Sequence, residues 1–417
     1  MSDGIKNMFN LKNTKIAIIG LGYVGLPLAI EFNKKYPVIG FDINKSRIKE
    51  LQSGADSTYE ITESELAKAT SISFSNDTRD LLNSNVFIVT VPTPINKYKQ
   101  PDLTPLIKAS EMLGKIIKKN DVIIYESTVY PGATEEDCLP VIERVSGLKY
   151  NEEFFAGYSP ERINPGDKEH RVSNILKVTS GSNDLVADYV DNLYKSIIKA
   201  GTHKADSIKI AEASKIIENV QRDVNIALIN EFFQIFNKLE IDTNKVIEAA
   251  STKWNFMKLK PGLVGGHCIG VDPYYLLHKA NQNGYIADLM RAGREINDSM
   301  PEYLVNDFIS NLLKKQINPI GLEVALLGFS FKENCPDIRN TKVHEIYERL
   351  VAHGLKVNIY DPEVDINDVA TLYGVEIKDE VSNITEDVAF LCVGHEKIIE
   401  NIKNYKYVYD FKSIVNS

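Results

Sequence analysis

Short apolar runs punctuate the chain, and between them apolar positions recur every three or four residues. Lys15-Ile16-Ala17-Ile18-Ile19 runs straight into a glycine-rich turn, residues 26–32 have helical spacing, and Val38-Ile39-Gly40-Phe41-Asp42 is strand-like again. Apolar runs of this kind without polar alternation suit strands buried on both faces, and their succession makes a βαβ unit. Further buried-strand candidates lie at residues 86–91, 122–125 and 154–158. The pattern predicts a doubly wound, mostly parallel sheet over about the first 195 residues.

The pattern then changes. No glycine or proline occurs between Gly201 and Pro261, and Ile208, Ala211, Ile216, Val220, Val224, Ala227, Leu228, Phe232 and Ile235 follow a helical recurrence. One long helix is predicted from residue 205 to 239, a spine between two domains whose surplus apolar face is buried in a dimer. Two shorter helices packed inside a monomer are the alternative. The end of the chain returns to α/β alternation, with strand candidates at residues 323–328, 356–360, 388–393 and 407–409 and a helix at 341–353. It mimics the opening segment but lacks the Gly-x-Gly-x-x-Gly turn, so a related sheet holding a different ligand is expected. The predicted fold class is α/β: two Rossmann-like, doubly wound domains joined by a long central helix.

Composition sets outer bounds. The chain has 417 residues, 43% hydrophobic and 25% charged, which is the make-up of a globular protein with sizeable cores. A net charge of -9 argues against non-specific nucleic-acid binding, while leaving room for a local basic pocket that takes an anionic metabolite. The start lacks the apolar segment of a signal peptide, and no apolar run reaches membrane-spanning length. Cys138, Cys268, Cys335 and Cys392 are scattered without metal-ligand spacing. The expectation is a cytoplasmic, reduced protein without structural zinc, a membrane anchor or a nucleic-acid partner.

Gly20-Leu21-Gly22-Tyr23-Val24-Gly25 follows the first strand and opens a helix. Gly20 permits the bend, Gly22 lets a pyrophosphate approach the backbone, and Gly25 lets helix and strand pack closely. The helix N-terminus, with Tyr23 and Val24, offers N–H groups to phosphates. Asp42 stands twenty residues beyond Gly22, where an acid accepts ribose hydroxyls and repels a 2′-phosphate. NAD is therefore favoured over NADP, although the nearby bases Lys45 and Arg47 could tolerate the extra phosphate.

A second stretch, Gly265-Gly266-His267-Cys268-Ile269-Gly270-Val271-Asp272, places one thiol among three glycines. A free cysteine is usually a small buried apolar residue, but a core strand has no use for so many glycines. Such a loop lets a substrate come close to the backbone. A thiol alongside a nicotinamide site suggests oxidation past the aldehyde, because it can hold an aldehyde as a thiohemiacetal for a second hydride removal. His267 is a candidate base or simply a loop residue. Cys138, Cys335 and Cys392 are assigned no chemistry. Lys215 and Asn219 share one face of the long helix, on which Glu212, Glu218 and Arg222 are read as solvated or paired surface charges.

Taken in order, the glycine turn, Val91-Pro92-Thr93-Pro94, Glu126-Ser127-Thr128, Ser159-Pro160-Glu161, Lys215-x-x-x-Asn219, Gly265-Gly266-His267-Cys268 and Gly328-Phe329-Ser330-Phe331-Lys332 resemble the motifs of the UDP-glucose/GDP-mannose dehydrogenase family. The resemblance covers nearly the whole chain. Within the family it is most similar to the UDP-N-acetylglucosamine and UDP-N-acetylgalactosamine 6-dehydrogenases of bacterial Vi, capsule and O-antigen synthesis.

The resemblance implies an NAD-dependent, four-electron oxidation of the sugar C6 hydroxymethyl to a carboxylate, serving surface polysaccharide synthesis. It implies an NAD-binding domain at residues 1–198, a helical dimerisation domain at 199–312 carrying the catalytic lysine and cysteine loop, and a UDP-sugar domain at 313–417. Cys268 would capture the aldehyde and become a thioester, and Lys215 and Asn219 would steady the oxyanion. Asp272 would help activate water, with Thr128 positioning it and Glu161 assisting proton transfer or thioester hydrolysis. Gly20, Gly22, Tyr23, Val24, Gly25, Asp42, Arg47, Thr93, Thr128 and Arg339 would face the cofactor, Arg339 by reaching a neighbouring active site. Glu161, Arg162, Lys215, Asn219, Gly265 and Lys332 would contact substrate. Lys258, Lys260 and Arg291 are candidates for a residue donated by the partner subunit.

Two departures separate the chain from the UDP-glucose enzymes. Pro165, in Arg162-Ile163-Asn164-Pro165-Gly166, stands where they carry a second glutamate, and Val271 stands where they carry lysine. Both match the acetamido-sugar branch, with UDP-N-acetylglucosamine as the leading substrate and its galacto epimer open. UDP-glucose dehydrogenase, a simple two-electron dehydrogenase and an NAD-binding regulatory protein remain the alternatives.

Overall fold

The first strand, β1 (Ile16–Ile19), is buried along its whole length, as an uninterrupted apolar run at the centre of a parallel sheet should be. The structure, a computed structural model, describes residues 9–58, 60–162, 172–266, 268–380 and 386–415. The remaining strands of the first sheet are β2 (Val38–Phe41), β3 (Ile72–Ser75), β4 (Val86–Val89), β5 (Val122–Tyr125), β6 (Phe155–Tyr158), β7 (Lys177–Gly181) and β8 (Thr202–Lys204). They form one eight-stranded sheet in the order β3-β2-β1-β4-β5-β6-β7-β8. Its first six positions have the order of a dinucleotide-binding sheet, which reverses direction between β1 and β4. β7 then joins β6 antiparallel, and β8 pairs parallel with β7.

A second sheet, of five strands, comprises β9 (Glu323–Leu327), β10 (Lys356–Tyr360), β11 (Ile377–Lys378), β12 (Val388–Leu391) and β13 (Tyr407–Tyr409). It is parallel throughout, in the order β11-β10-β9-β12-β13. The two sheets repeat one device at their first strand ends. Gly20 (φ +99°) and Gly328 (φ +82°) both turn the chain through the left-handed region that suits glycine. Gly20 N donates to Phe41 O and Gly328 N to Tyr360 O, each at 2.8 Å. The following amides then find a carboxylate at the end of the neighbouring strand: Leu21 N bonds Asp42 at 2.9 Å and Phe329 N bonds Asp361 at 2.6 Å.

Between the sheets in sequence runs one unbroken helix of 31 residues, Ile208–Lys238. A second long helix of 27 residues, Asp288–Lys314, carries Pro301 in its interior, a residue that argues from sequence alone against continuous helix. The chain divides into two compact units, residues 1–218 with 274–283 and residues 219–273 with 284–417. No helix among the described residues is long and apolar enough to cross a membrane.

Candidate active site

In the first unit the glycine turn is built tightly. A Cβ on Gly25 would lie 1.8 Å from Gly20 O, whereas one on Gly22 would meet nothing within 4 Å. The helix Gly25–Asn33 therefore starts hard against the strand, while the turn's outer face stays open at Gly22. Tyr23, Val24 and Asp42 are half-buried. Asp42 receives Leu21 N on one oxygen and Asn44 N at 2.8 Å on the other. Arg47 is buried, with Nε donating to Leu21 O at 3.0 Å and the two terminal nitrogens meeting Glu50 at 2.8 Å and Asp56 at 2.7 Å. These contacts tie Arg47 into the turn. The open approach at Gly22, the adjoining helix N-terminus and the carboxylate at the end of β2 fit a dinucleotide.

At the same carboxyl edge of the sheet, Thr93 and Thr128 are half-buried, and Glu126 and Glu161 are buried. Lys177 Nζ bonds Glu126 Oε2 at 2.8 Å and Glu161 Oε2 at 2.5 Å. Arg162 pairs with Glu218 at 2.9 Å. Lys215 is buried on the long helix. Glu212 is also fully buried, which corrects its reading as a surface charge: its carboxylate accepts Gly132 N and Thr134 N.

In the second unit Asn219, Asp272 and the thiol come together. Asn219 Nδ2 donates to Asp272 Oδ2, and Asp272 N donates to Cys268 O at 2.9 Å, so the thiol lies one turn before the helix Asp272–Gln282. The glycines of this loop have a partner within the protein. A Cβ on Gly265 would come within 2.9 Å of Asn340 O, and Gly266 packs against the Phe331 ring at 3.2 Å from where its Cβ would stand. Asn340 Nδ2 donates to Gly266 O at 3.2 Å. The cysteine loop is thus seated on the segment that carries Lys332, whose ammonium lies 5.7 Å from the Phe331 ring centre. Arg339 is held by Asp337 through Nε at 2.9 Å and Nη2 at 2.5 Å. His267 and residues 163–166 lie outside the described residues.

The chain matches three successive domains of one family: the NAD binding domain over residues 14–198, the central domain over 209–299 and the UDP binding domain over 325–417. The chain belongs to the UDP-glucose/GDP-mannose dehydrogenase family. It is 56% identical over 414 residues to the UDP-N-acetyl-D-glucosamine 6-dehydrogenase of Pseudomonas aeruginosa, covering 97% of this chain and 98% of that one. It is 52% identical over 416 residues to the enzyme of the same name from Salmonella typhi, covering 98% of each. Among solved structures, the UDP-D-ManNAc dehydrogenase of Pyrococcus horikoshii superposes with a TM-score of 0.87 at 29% identity, covering 97% of this chain and 96% of that one.

Membership in the UDP-glucose/GDP-mannose dehydrogenase family leaves some of the residues around the site unnamed. Lys177 opens a strand whose polar sequence, Lys177-Val178-Thr179-Ser180-Gly181, gave no apolar signal. Phe331 and Asn340 were legible only as neighbours of Lys332 and Arg339, because the need for Gly265 and Gly266 arises from a chain segment distant in sequence.

Proposed function

We propose that this chain oxidises the C6 hydroxymethyl group of UDP-N-acetyl-D-glucosamine to a carboxylate in two successive NAD-dependent steps, supplying a uronic acid for surface polysaccharide. The observation that carries the covalent part of the reading is the contrast among the cysteines. Cys138, Cys335 and Cys392 are buried, and burial pushes all three thiols up, Cys138 to about 12. Cys268 alone is half-exposed, on a loop beside buried Asp272. Only a thiol that substrate can reach serves as a nucleophile.

Bound NAD supplies the hydride acceptor for both oxidations. Asp42 accepts hydrogen bonds from the ribose, and the turn at Gly20, Gly22 and Gly25, with Tyr23 and Val24, receives the phosphates. Arg47 braces that turn through Leu21, and Thr93, Thr128 and Arg339 complete the cofactor contacts. The alcohol loses a hydride and a proton to give the aldehyde. The Cys268 thiolate adds to the aldehyde carbon, and the thiohemiacetal loses a second hydride to become a thioester. Water, activated with the help of Asp272 and Glu161, then releases the carboxylate and the free thiol. Lys215 and Asn219 donate to the oxygen that bears negative charge during addition and hydrolysis, where fixed donors lower the barrier most. Arg162, Gly265 and Lys332 contact the UDP-sugar.

The relatives from Pseudomonas aeruginosa and Salmonella typhi, named for UDP-N-acetyl-D-glucosamine, support this substrate over UDP-glucose. The central helix supports a homodimer, since it leaves Leu228 and Ile235 exposed at 45% and 44%, two turns apart on one face. The enzyme works in the cytoplasm, where NAD and nucleotide sugars are available together. The test is initial rates with UDP-N-acetylglucosamine, UDP-N-acetylgalactosamine and UDP-glucose at equal concentration. The reading expects the acetamido sugars to dominate, and a preference for UDP-glucose would overturn it.

A further inference from the structure

β6 and β7 run antiparallel, with Gly157 opposite Gly181 and Tyr158 opposite Ser180. Continued toward the start of β7, that register sets Lys177 opposite Glu161. On its other side β6 runs parallel to β5 with Tyr125 beside Tyr158, so Glu126 leaves the sheet next to the Ser159-Pro160-Glu161 segment. Two carboxylates and one ammonium thus meet at the carboxyl edge of the sheet, where open α/β folds bind their ligands.

The cluster is dry: Glu126 and Lys177 are each 3% exposed, Glu161 is 7% exposed and Tyr194 is fully covered. Lys177 bonds both carboxylates, and its ammonium lies 5.4 Å from the Tyr194 ring centre. The Tyr194 hydroxyl donates to Glu126 Oε1, and Arg162 N donates to Glu161 Oε1 at 2.6 Å. Glu126, Glu161 and Tyr194 are the titratable side chains in contact with the lysine among the described residues. Burial works against the Lys177 ammonium, but Glu126 and Glu161 outweigh it and hold its pKa above the ordinary range. Burial pushes Glu126 up to about 7, against the pull of Lys177.

We propose that Lys177 is the positioning residue for Glu161: braced by Glu126, its ammonium fixes the Glu161 carboxylate at the carboxyl edge of the sheet for proton exchange during catalysis. A buried ammonium holds its place only while paired, and a carboxylate deprived of it faces a second carboxylate across a dry space. The inference rests on the role given to Glu161 above.

The test is the pH dependence of kcat for Lys177→Met, Lys177→Arg and Glu126→Gln, with NAD affinity and thermal melting measured on each. Lys177→Met removes the counter-charge, so the acid limb of the profile moves up by about one pH unit and kcat near neutrality falls by roughly tenfold or more, with NAD affinity retained. Lys177→Arg keeps the cation and holds the limb close to its original place. Glu126→Gln leaves Glu161 as sole carboxylate partner of Lys177, and the limb moves down. An unmoved limb in both Lys177→Met and Glu126→Gln overturns the inference. So does a joint fall of kcat, NAD affinity and melting temperature without a shift of the profile, because that is the mark of a purely structural ion pair. Where Lys177→Met does not fold, Glu126→Gln alone decides, its limb moving down or staying in place. Glu161→Gln separates the two levels: full activity removes the role of Glu161 itself, whereas an inactive Glu161→Gln beside unmoved limbs removes only that of Lys177.

Discussion

Asn219 donates its side-chain amide to Asp272 Oδ2 at 2.5 Å, and both residues are buried. One belongs to the long helix and the other opens the helix that follows the cysteine loop. Asp272 is joined in turn to the Cys268 carbonyl through its own amide, so the amide of Asn219 orients a carboxylate one turn from the thiol. Asn219→Ala is expected to lower kcat by about 10- to 100-fold while NAD affinity stays unchanged, the size of effect produced by losing one well-placed donor. Stopped-flow rates and NAD titration check this. An equal loss in both quantities would assign Asn219 to stability alone.

Cys268→Ser keeps the shape of the loop and removes the thiolate. Net formation of the uronic acid is expected to stop, with NAD binding intact and melting temperature little changed. Product analysis by mass spectrometry is the check, and near-normal turnover would remove the covalent mechanism.

Asp42 bonds Leu21 N and Asn44 N and is assigned the ribose hydroxyls. Asp42→Ala should weaken NAD by roughly ten- to a hundredfold, the scale of one or two hydrogen bonds to a charged group. UDP-sugar binding should remain. Calorimetric titration of each ligand distinguishes the outcomes, because equal weakening of both would place Asp42 outside the cofactor site.

Burial pushes Asp121 up to about 6, against the hydrogen bond from Lys118 N. The folded protein therefore binds this proton more tightly than the unfolded chain does. The contribution of Asp121 to stability is fully present below the unfolded value of 3.8 and is lost as pH rises to about 6. Asp121→Asn mimics the protonated side chain, so its stability relative to the parent should grow across that window and level off above it, by about 1–3 kcal/mol in all. Urea midpoints from about pH 4 to about pH 8 measure the difference. A variant that gains nothing with rising pH would mean that Asp121 carries its charge in the fold without penalty.

Much of this molecule could be read from local pattern, and the exceptions have physical causes. β1, β4, β5 and β12 are buried at every residue, and such strands declare themselves as apolar runs. β3 (Ile72–Ser75) is half-exposed at the sheet edge, so its sequence carries no such signal. The helix Ile208–Lys238 is visible from the missing glycines and prolines, but the burial of Glu212 on it is not, because its two partners, Gly132 N and Thr134 N, lie some eighty residues away. The glycines around Cys268 mark a special loop in the sequence itself. Their use by Phe331 and Asn340 became visible only once the chain was folded.

The measurement that bears most directly on the account is the number of NADH molecules formed per UDP-N-acetylglucosamine consumed when the sugar is limiting. Two per sugar, with a carboxylate as product, is the predicted result, since the first hydride leaves the alcohol carbon and the second leaves that same carbon once Cys268 holds it as a thiohemiacetal. One per sugar would mean that oxidation stops at the aldehyde or at a ring ketone. Cys268 would then be a structural residue, and the four-electron reading would be wrong.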